Sequence, residues 1–265
     1  MAGRLIAMEA RLYAAAGAHD GRTWRRWRIA ERREETRDVV SLVLRPLDDG
    51  PLPPALPGQY VSVRVRMPDG VHQLRQYTLT GHGADGTRRI TVKRVRGAHD
   101  GEVSNLLHAT AAVGTELTLS APFGDVTLAD LDTPLVLASA GIGCTPIVAM
   151  LQHLASNGSP RRVLLLHADS SRDGHALRQE METLTDALPG AERVFWYEQD
   201  GHEDGQGRTG RMDLADVAIP EGATAYLCGP LPFMRHARAQ LVAGGVAARD
   251  VHYEVFGSDL WLARS

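Results

Sequence analysis

Arg75, Gln76, Tyr77 and Thr78 stand in a row, and their chemistry suits one kind of partner. A guanidinium clamps a phosphate through its planar fork. A tyrosine ring offers a face to a flat heterocycle, and a threonine hydroxyl can hydrogen-bond a ring nitrogen. In a strand, alternation throws Arg75 and Tyr77 to one side and Gln76 and Thr78 to the other. The row therefore suits a large planar ligand with a phosphate tail. An ordinary barrel edge strand with partly exposed polar groups would use the same residues.

Four further stretches carry chemistry. Ala140-Gly141-Ile142-Gly143-Cys144-Thr145-Pro146 has two glycines that let backbone approach a ligand. Thr145 then suits a helix N-cap and Pro146 a first helical residue, and a helix N-terminus binds a pyrophosphate. Pro146 stands where a third glycine of the usual dinucleotide fingerprint would be, and a plain strand-to-helix turn remains the alternative. Leu227-Cys228-Gly229-Pro230 pairs a small soft side chain with an open turn; a structural buried cysteine reads the same way. In His252–Ser258, Phe256 can cover a ring face and Glu254 is an acid placed where charge changes; a core aromatic and a surface acid are the alternative. At Gly101-Glu102-Val103-Ser104, Ser104 and free N–H groups can hold a second phosphate next to Arg75; a plain capped helix start is the alternative.

The elements that must position these groups fall into two sets. Period-two alternation gives strands at 24–30, 39–45, 59–66, 74–79, 89–96 and 116–120, with one short helix near 103–109 and Pro/Gly turns between. This predicts a six-stranded antiparallel Greek-key barrel. After Asp132-Thr133-Pro134, apolar runs alternate with helical stretches. Strands are expected at 135–138, 163–168, 193–197, 224–228 and 251–254, and helices at 145–157, 175–187 and 233–243. Such alternation means a five-stranded parallel α/β unit, with its ligand at the carboxyl ends of the strands. The expected division is a helix and linker over 1–22, a barrel domain over 23–131 and a nucleotide-binding domain over 132–265. The fold class is thus all-β plus α/β.

The chain has 265 residues, with 43% hydrophobic and 23% charged, enough for one large or two medium cores. A net charge of -3 gives no reason to expect nucleic acid or an anionic membrane as partner. No apolar run approaches a membrane span. The N-terminus does not read as a signal peptide, since Arg4, Glu9 and Arg11 interrupt any apolar core. Two cysteines, Cys144 and Cys228, far apart and each inside a motif, fit a reducing cytoplasm better than a disulfide framework. His202-Glu203-Asp204 reads as a solvated loop rather than a metal site, and no metal is expected.

The order of these motifs resembles the ferredoxin-NADP reductase superfamily. Gly101–His108 (GEVSNLLH) and His252–Gly257 (HYEVFG) resemble more narrowly the reductase module of bacterial flavohaemoglobins, the nitric oxide dioxygenases. The likeness covers about residues 23–258. Glu9–Tyr13 resembles the end of a last globin helix, but the globin itself is missing. The resemblance implies FAD on the barrel, with Tyr60 and Arg75–Thr78 at flavin-binding positions. Arg75 would hold the pyrophosphate, Tyr77 would pack on the isoalloxazine, and Thr78, in place of a more usual Ser, would bond near N5. It places Gly101, Val103 and Ser104 at a phosphate. Gly141, Ile142, Gly143, Cys144, Thr145 and Pro146 match an NAD(P) pyrophosphate site, joined by Cys228, Gly229 and Pro230. Val255, Phe256, Gly257 and Ser258 match the segment that covers the flavin, Ser258 departing from a frequent Pro. Thr78, Cys228 and Glu254 are the candidates to stand at the reacting ring, Glu254 as an acid that tunes the flavin.

The implied activity is hydride transfer from NADH or NADPH to FAD, then single-electron transfer to a haem acceptor such as a globin. A reductase for another oxygenase, ferric or flavin acceptor is the alternative, followed by a non-catalytic electron-transfer subunit. Coenzyme choice rests on Asp169, which suits a ribose hydroxyl and NADH, against Ser170, Ser171 and Arg172, which suit a 2′-phosphate. Family likeness tips the expectation to NADH.

Overall fold

A computed structural model describes residues 24–83, 85–96, 101–199 and 207–254. The expected N-terminal helix, His202-Glu203-Asp204 and the segment Val255, Phe256, Gly257 and Ser258 lie outside the described residues.

The first six strands close on themselves. β1 (Trp24–Thr36), β2 (Val39–Pro46), β3 (Tyr60–Arg66), β4 (His72–His82), β5 (Arg88–Lys93) and β6 (Glu116–Ser120) run in the spatial order β1-β2-β5-β4-β3-β6. β6 then pairs antiparallel with β1 from Trp24↔Ser120 to Arg28↔Glu116 and closes the barrel. Inward residues of every strand, such as Ile29, Leu42, Val61, Val63, Ile90 and Leu119, form one core. β1 runs six residues past its expected end. Its outer face there is charged, so hydrophobic alternation is lost, but Arg33 pairs with Glu31 and Arg32 with Glu34 along the strand. Helix α1 (Glu102–Thr110) buries Val103 and Leu107 against the same core.

The second sheet is parallel throughout. Its strands are β7 (Leu135–Ala140), β8 (Val163–Asp169), β9 (Ala191–Tyr197), β10 (Arg208–Thr209), β11 (Thr224–Cys228) and β12 (Val251–Glu254), in the order β10-β9-β8-β7-β11-β12. Five of these are the expected strands. The two-residue β10 adds a sixth beside β9, too short to give a periodic signal. β7 and β8 are buried on both faces, as their unbroken apolar runs require. Leu135 and Leu137 face a core shared with helices α2 (Cys144–Ser156) and α3 (Arg178–Asp186). Val136 and Ala138 face a core shared with α4 (Leu231–Ala243). Chain order reverses between β7 and β11, so their carboxyl ends flank the crevice where such sheets bind ligands.

Two helix starts differ from the expectation. α2 begins at Cys144, because a 3-10 turn over Gly141–Gly143 runs straight into it. Thr145 is therefore inside the first turn and is not the N-cap; its hydroxyl donates back to the Ile142 carbonyl at 3.1 Å. Pro146 is tolerated there because first-turn N–H groups have no intrahelical partner. α3 begins at Arg178, not His175, because His175 turns inward and stacks on His167 with centroids 3.9 Å apart. Leu177, at φ 59°, then makes the left-handed step into the helix.

Candidate functional site

Tyr60 opens β3 and is the register partner of Thr78 on β4. Its ring meets Phe123 edge-on at 4.3 Å and lies across Gly124, where a Cβ would stand 2.9 Å from the Tyr60 ring. Along β4 burial does not alternate residue by residue but rises from Arg75 to Thr78. Arg75 and Gln76 are exposed. Tyr77 is half-buried against the barrel core, and burial holds its phenol well above the usual value. Among the described residues Arg75 makes no ion pair; its guanidinium donates to the Leu74 carbonyl at 2.7 Å.

Thr78 and Thr80 share the other face of β4 and differ in one respect. Thr80 Oγ1 lies 3.0 Å from Thr91 Oγ1, which lies 2.9 Å from Ser41 Oγ, so its hydroxyl belongs to a closed network. Thr78 Oγ1 is buried and has no hydrogen-bond partner among the described residues. A buried orphan hydroxyl costs on the order of 1–3 kcal/mol. It fits a position where a ligand atom supplies the missing bond.

At the start of α1, Gly101 is the N-cap, and a Cβ there would stand 2.5 Å from Ser104 Oγ. The Ser104 hydroxyl donates to the Gly101 carbonyl at 3.0 Å and accepts from Val95 N–H. It thus shapes the turn, and the hydroxyl is occupied within it while the first backbone N–H groups of the helix have no intrahelical partner. Val103 is a core residue. Gln73 donates to Glu102 at 2.5 Å and ties the strand of Arg75 to this helix start.

The α/β half brings its motifs to the crevice between β7 and β11. A Cβ on Gly143 would stand 2.2 Å from the Cys228 carbonyl oxygen, and one on Gly229, at φ +159°, would stand 3.1 Å from Ala140 N. The Gly141–Pro146 turn and the Cys228–Pro230 turn therefore touch, and Pro230 caps α4. Ile142 packs against the sheet core and Cys144 is fully buried within it. The Cys144 thiol donates to the Ala176 carbonyl at 3.7 Å, so it braces the loop after β8 and does not face the crevice. Cys228 is paired in register with Ser139 on one side and Glu254 on the other. Burial pushes its thiol well above the usual range.

Glu254 closes the row. Burial, and after it the Asp125 carboxylate, push its acid up to about 7. Asp125 follows Gly124, under the Tyr60 ring, so this acid pair joins the barrel side of the site to the sheet side. At the tip of β8, Asp169 accepts from Ser170 N–H at 2.8 Å and lies 3.5 Å from His167 Nε2. Ser171 holds Gly174 N–H at 3.1 Å.

One residue was missed from the sequence. Lys93 ends β5, and a Cβ on Gly141 would stand 3.7 Å from its Nζ. Among the described residues it makes no ion pair. It sits in the alternation Ile90-Thr91-Val92-Lys93, where nothing but tertiary placement marks it. Among the described residues no group of His, Cys, Asp and Glu is arranged to hold a metal, and no helix is long and apolar enough to cross a membrane.

Residues 137–239 match the family model described as an oxidoreductase NAD-binding domain. The chain is 41% identical over 270 residues to a flavohemoprotein of Bordetella pertussis, covering 97% of this chain and 67% of that protein. It is 42% identical over 272 residues to a flavohemoprotein of Chromobacterium violaceum, with the same coverage. A solved flavohem-like FAD/NAD-binding domain of nitric oxide dioxygenase from Vibrio cholerae superposes with a TM-score of 0.83 at 35% identity, over 89% of this chain and 100% of that one. A flavohemoglobin from Malassezia yamatoensis, solved with bound FAD and heme, gives 0.81 at 34% identity, over 96% and 64%.

Proposed function

The chain belongs to the flavohemoprotein family, and on that premise we propose that it is the family's reductase part, an NAD(P)H-dependent FAD oxidoreductase that feeds a haem acceptor. It spans about two thirds of the length of those relatives, and the acceptor is a globin-type haem domain. When bound, FAD supplies the conversion of a two-electron hydride into single electrons.

The protein's part is binding, orientation and exclusion of water. Arg75 and the first N–H groups of α1, from Gly101 to Ser104, hold the FAD pyrophosphate. Tyr60, Gln76 and Tyr77 line the flavin, and the Thr78 hydroxyl donates to its ring. The coenzyme pyrophosphate lies on the Gly141–Pro146 turn at the α2 N-terminus, with Lys93 supplying a cation from the barrel. Gly229 and Pro230 keep the facing turn open, and this turn beside Cys228 would admit the nicotinamide. Phe256, with Val255, Gly257 and Ser258, comes after Glu254 in the sequence and would be the group to cover the ring. Glu254, its acid pushed up to about 7 by burial, stands beside Cys228 at the end of β12, and Asp169 takes the adenosine ribose and favours NADH.

The observation that carries this reading is the orphaned Thr78 hydroxyl, buried in the barrel wall beside Tyr60. The test is anaerobic. Protein loaded with FAD should bleach on adding NADH and then reduce an isolated ferric globin. Protein that takes up no FAD, or holds FAD that NADH leaves oxidised, would sink the reading.

A further inference from the structure

Arg89 stands at a bulge. β4 and β5 pair Leu79 with Ile90 and then Gly81 with Arg89, so Thr80 is the extra residue and its carbonyl is left outside the ladder. The Arg89 guanidinium fills that gap, with Nη2 donating to Thr80 O at 2.8 Å and Nε to Thr80 Oγ1 at 3.1 Å. Its outer edge crosses to the α/β half. Nη1 and Nη2 donate to the two carboxylate oxygens of Glu180 on α3 at 2.7 and 2.8 Å. Gln152 on α2 donates to the same carboxylate at 2.5 Å. Gly81 leaves room for Gln152, since a Cβ there would stand 2.9 Å from its Oε1. The ion pair is largely buried, with side-chain exposures of 10% and 25%.

Each member sits on an element that carries part of the reaction site. Thr80 is two residues along β4 from Thr78, and Arg89 is four residues along β5 from Lys93. Gln152 lies on the helix whose N-terminus is the Gly141–Pro146 turn, and Glu180 on the helix that follows the Asp169–Leu177 loop. A forked guanidinium on a carboxylate fixes direction as well as distance. A buried pair of this kind adds little net stability over apolar packing, and its best-attested use is to set geometry.

We propose that Arg89, Glu180 and Gln152 are positioning residues for hydride transfer, a clamp that sets the barrel's flavin face against the coenzyme turn of the α/β half. This rests on the function proposed above. Hydride transfer needs the reacting atoms within about 3–3.5 Å, and a slip of about 1 Å can cost about a hundredfold, so a loosened clamp should slow that step and spare the rest.

The experiment uses the full chain loaded with FAD, in anaerobic stopped flow, comparing wild type with Glu180→Gln, Arg89→Lys and Gln152→Ala. Arg162→Ala, which breaks the exposed pair with Glu192, is the control. All should keep wild-type FAD occupancy, and dithionite-reduced protein should pass electrons to ferricyanide at the wild-type rate. The limiting rate of flavin reduction at saturating NADH should fall about tenfold in Glu180→Gln and Arg89→Lys and less in Gln152→Ala. The isotope effect with C4-deuterated NADH should rise in the same order, and Arg162→Ala should match wild type. Clamp variants that melt earlier but keep the wild-type limiting rate and isotope effect would overturn the proposal. If Arg89→Lys fails to fold, Gln152→Ala, which removes a single hydrogen bond, decides in the same way. A wild-type protein that NADH cannot reduce would be a different failure, one of the underlying function.

Discussion

Gly143 and Cys228 belong to different turns, yet no side chain can be placed between them: a methyl group on Gly143 would stand 2.2 Å from the Cys228 carbonyl oxygen. This contact joins the ends of β7 and β11 into one floor, which the proposed function gives to the coenzyme. Gly143→Ala must push the turns apart, at a cost of about 1–3 kcal/mol. Its melting temperature should fall, its FAD occupancy should stay near wild type, and its KM for NADH should rise at least tenfold. Unchanged NADH kinetics would show that the two turns do not form the coenzyme floor.

Thr78→Val separates binding from folding by the sign of its effects. Among the described residues the hydroxyl has no partner, so replacing it with a methyl group of similar shape should leave the FAD-free protein as stable as wild type, or more stable by about 1 kcal/mol. The FAD-loaded protein should lose both FAD affinity and rate of reduction by NADH. Thermal melts with and without FAD measure both. A Thr78→Val chain destabilised without FAD and unaltered with it would remove Thr78 from the site.

Arg75 is exposed and makes no ion pair among the described residues, so Arg75→Ala should fold normally and purify with little FAD. Absorbance at the flavin band against protein gives the occupancy. Full occupancy would take the pyrophosphate away from Arg75.

Glu254 predicts a pH dependence. Its folded-state value, pushed up to about 7, lies above the ordinary 4.5, so the fold prefers the protonated acid. The stabilisation is complete below about pH 4.5 and is lost as pH rises through about 7. Wild type should therefore melt progressively earlier from about pH 5 to about pH 8. Glu254→Gln, which cannot ionise, should flatten this slope. Parallel profiles for the two proteins would mean that Glu254 titrates normally.

Coenzyme choice is tested by two substitutions in one loop. If Asp169 takes the ribose hydroxyl, Asp169→Asn should raise the KM for NADH more than that for NADPH. If Arg172 takes a 2′-phosphate, Arg172→Ala should raise the KM for NADPH far more than that for NADH. Equal effects on both coenzymes from both variants would place the adenosine elsewhere.

The sequence by itself determined the two kinds of sheet. Period-two alternation gives strands with one buried face, and unbroken apolar runs such as Leu135–Ala138 give strands buried on both. Those patterns are local, and so are the motifs at Arg75–Thr78, Gly141–Pro146 and Cys228–Pro230. What depends on distant partners was not legible. The extension of β1 to Thr36 needs ion pairs along its outer face, the start of α3 is delayed by the stacking of His175 on His167, and β10 exists only because β9 offers it an edge. The same holds within the site. Lys93 is an ordinary strand residue until β5 is brought up to Gly141, and Thr78 differs from Thr80 only because Thr91 and Arg89 reach one hydroxyl and not the other. Arg89 and Glu180 are 91 positions apart, and only the packing of barrel against helix turns two common charged residues into a clamp.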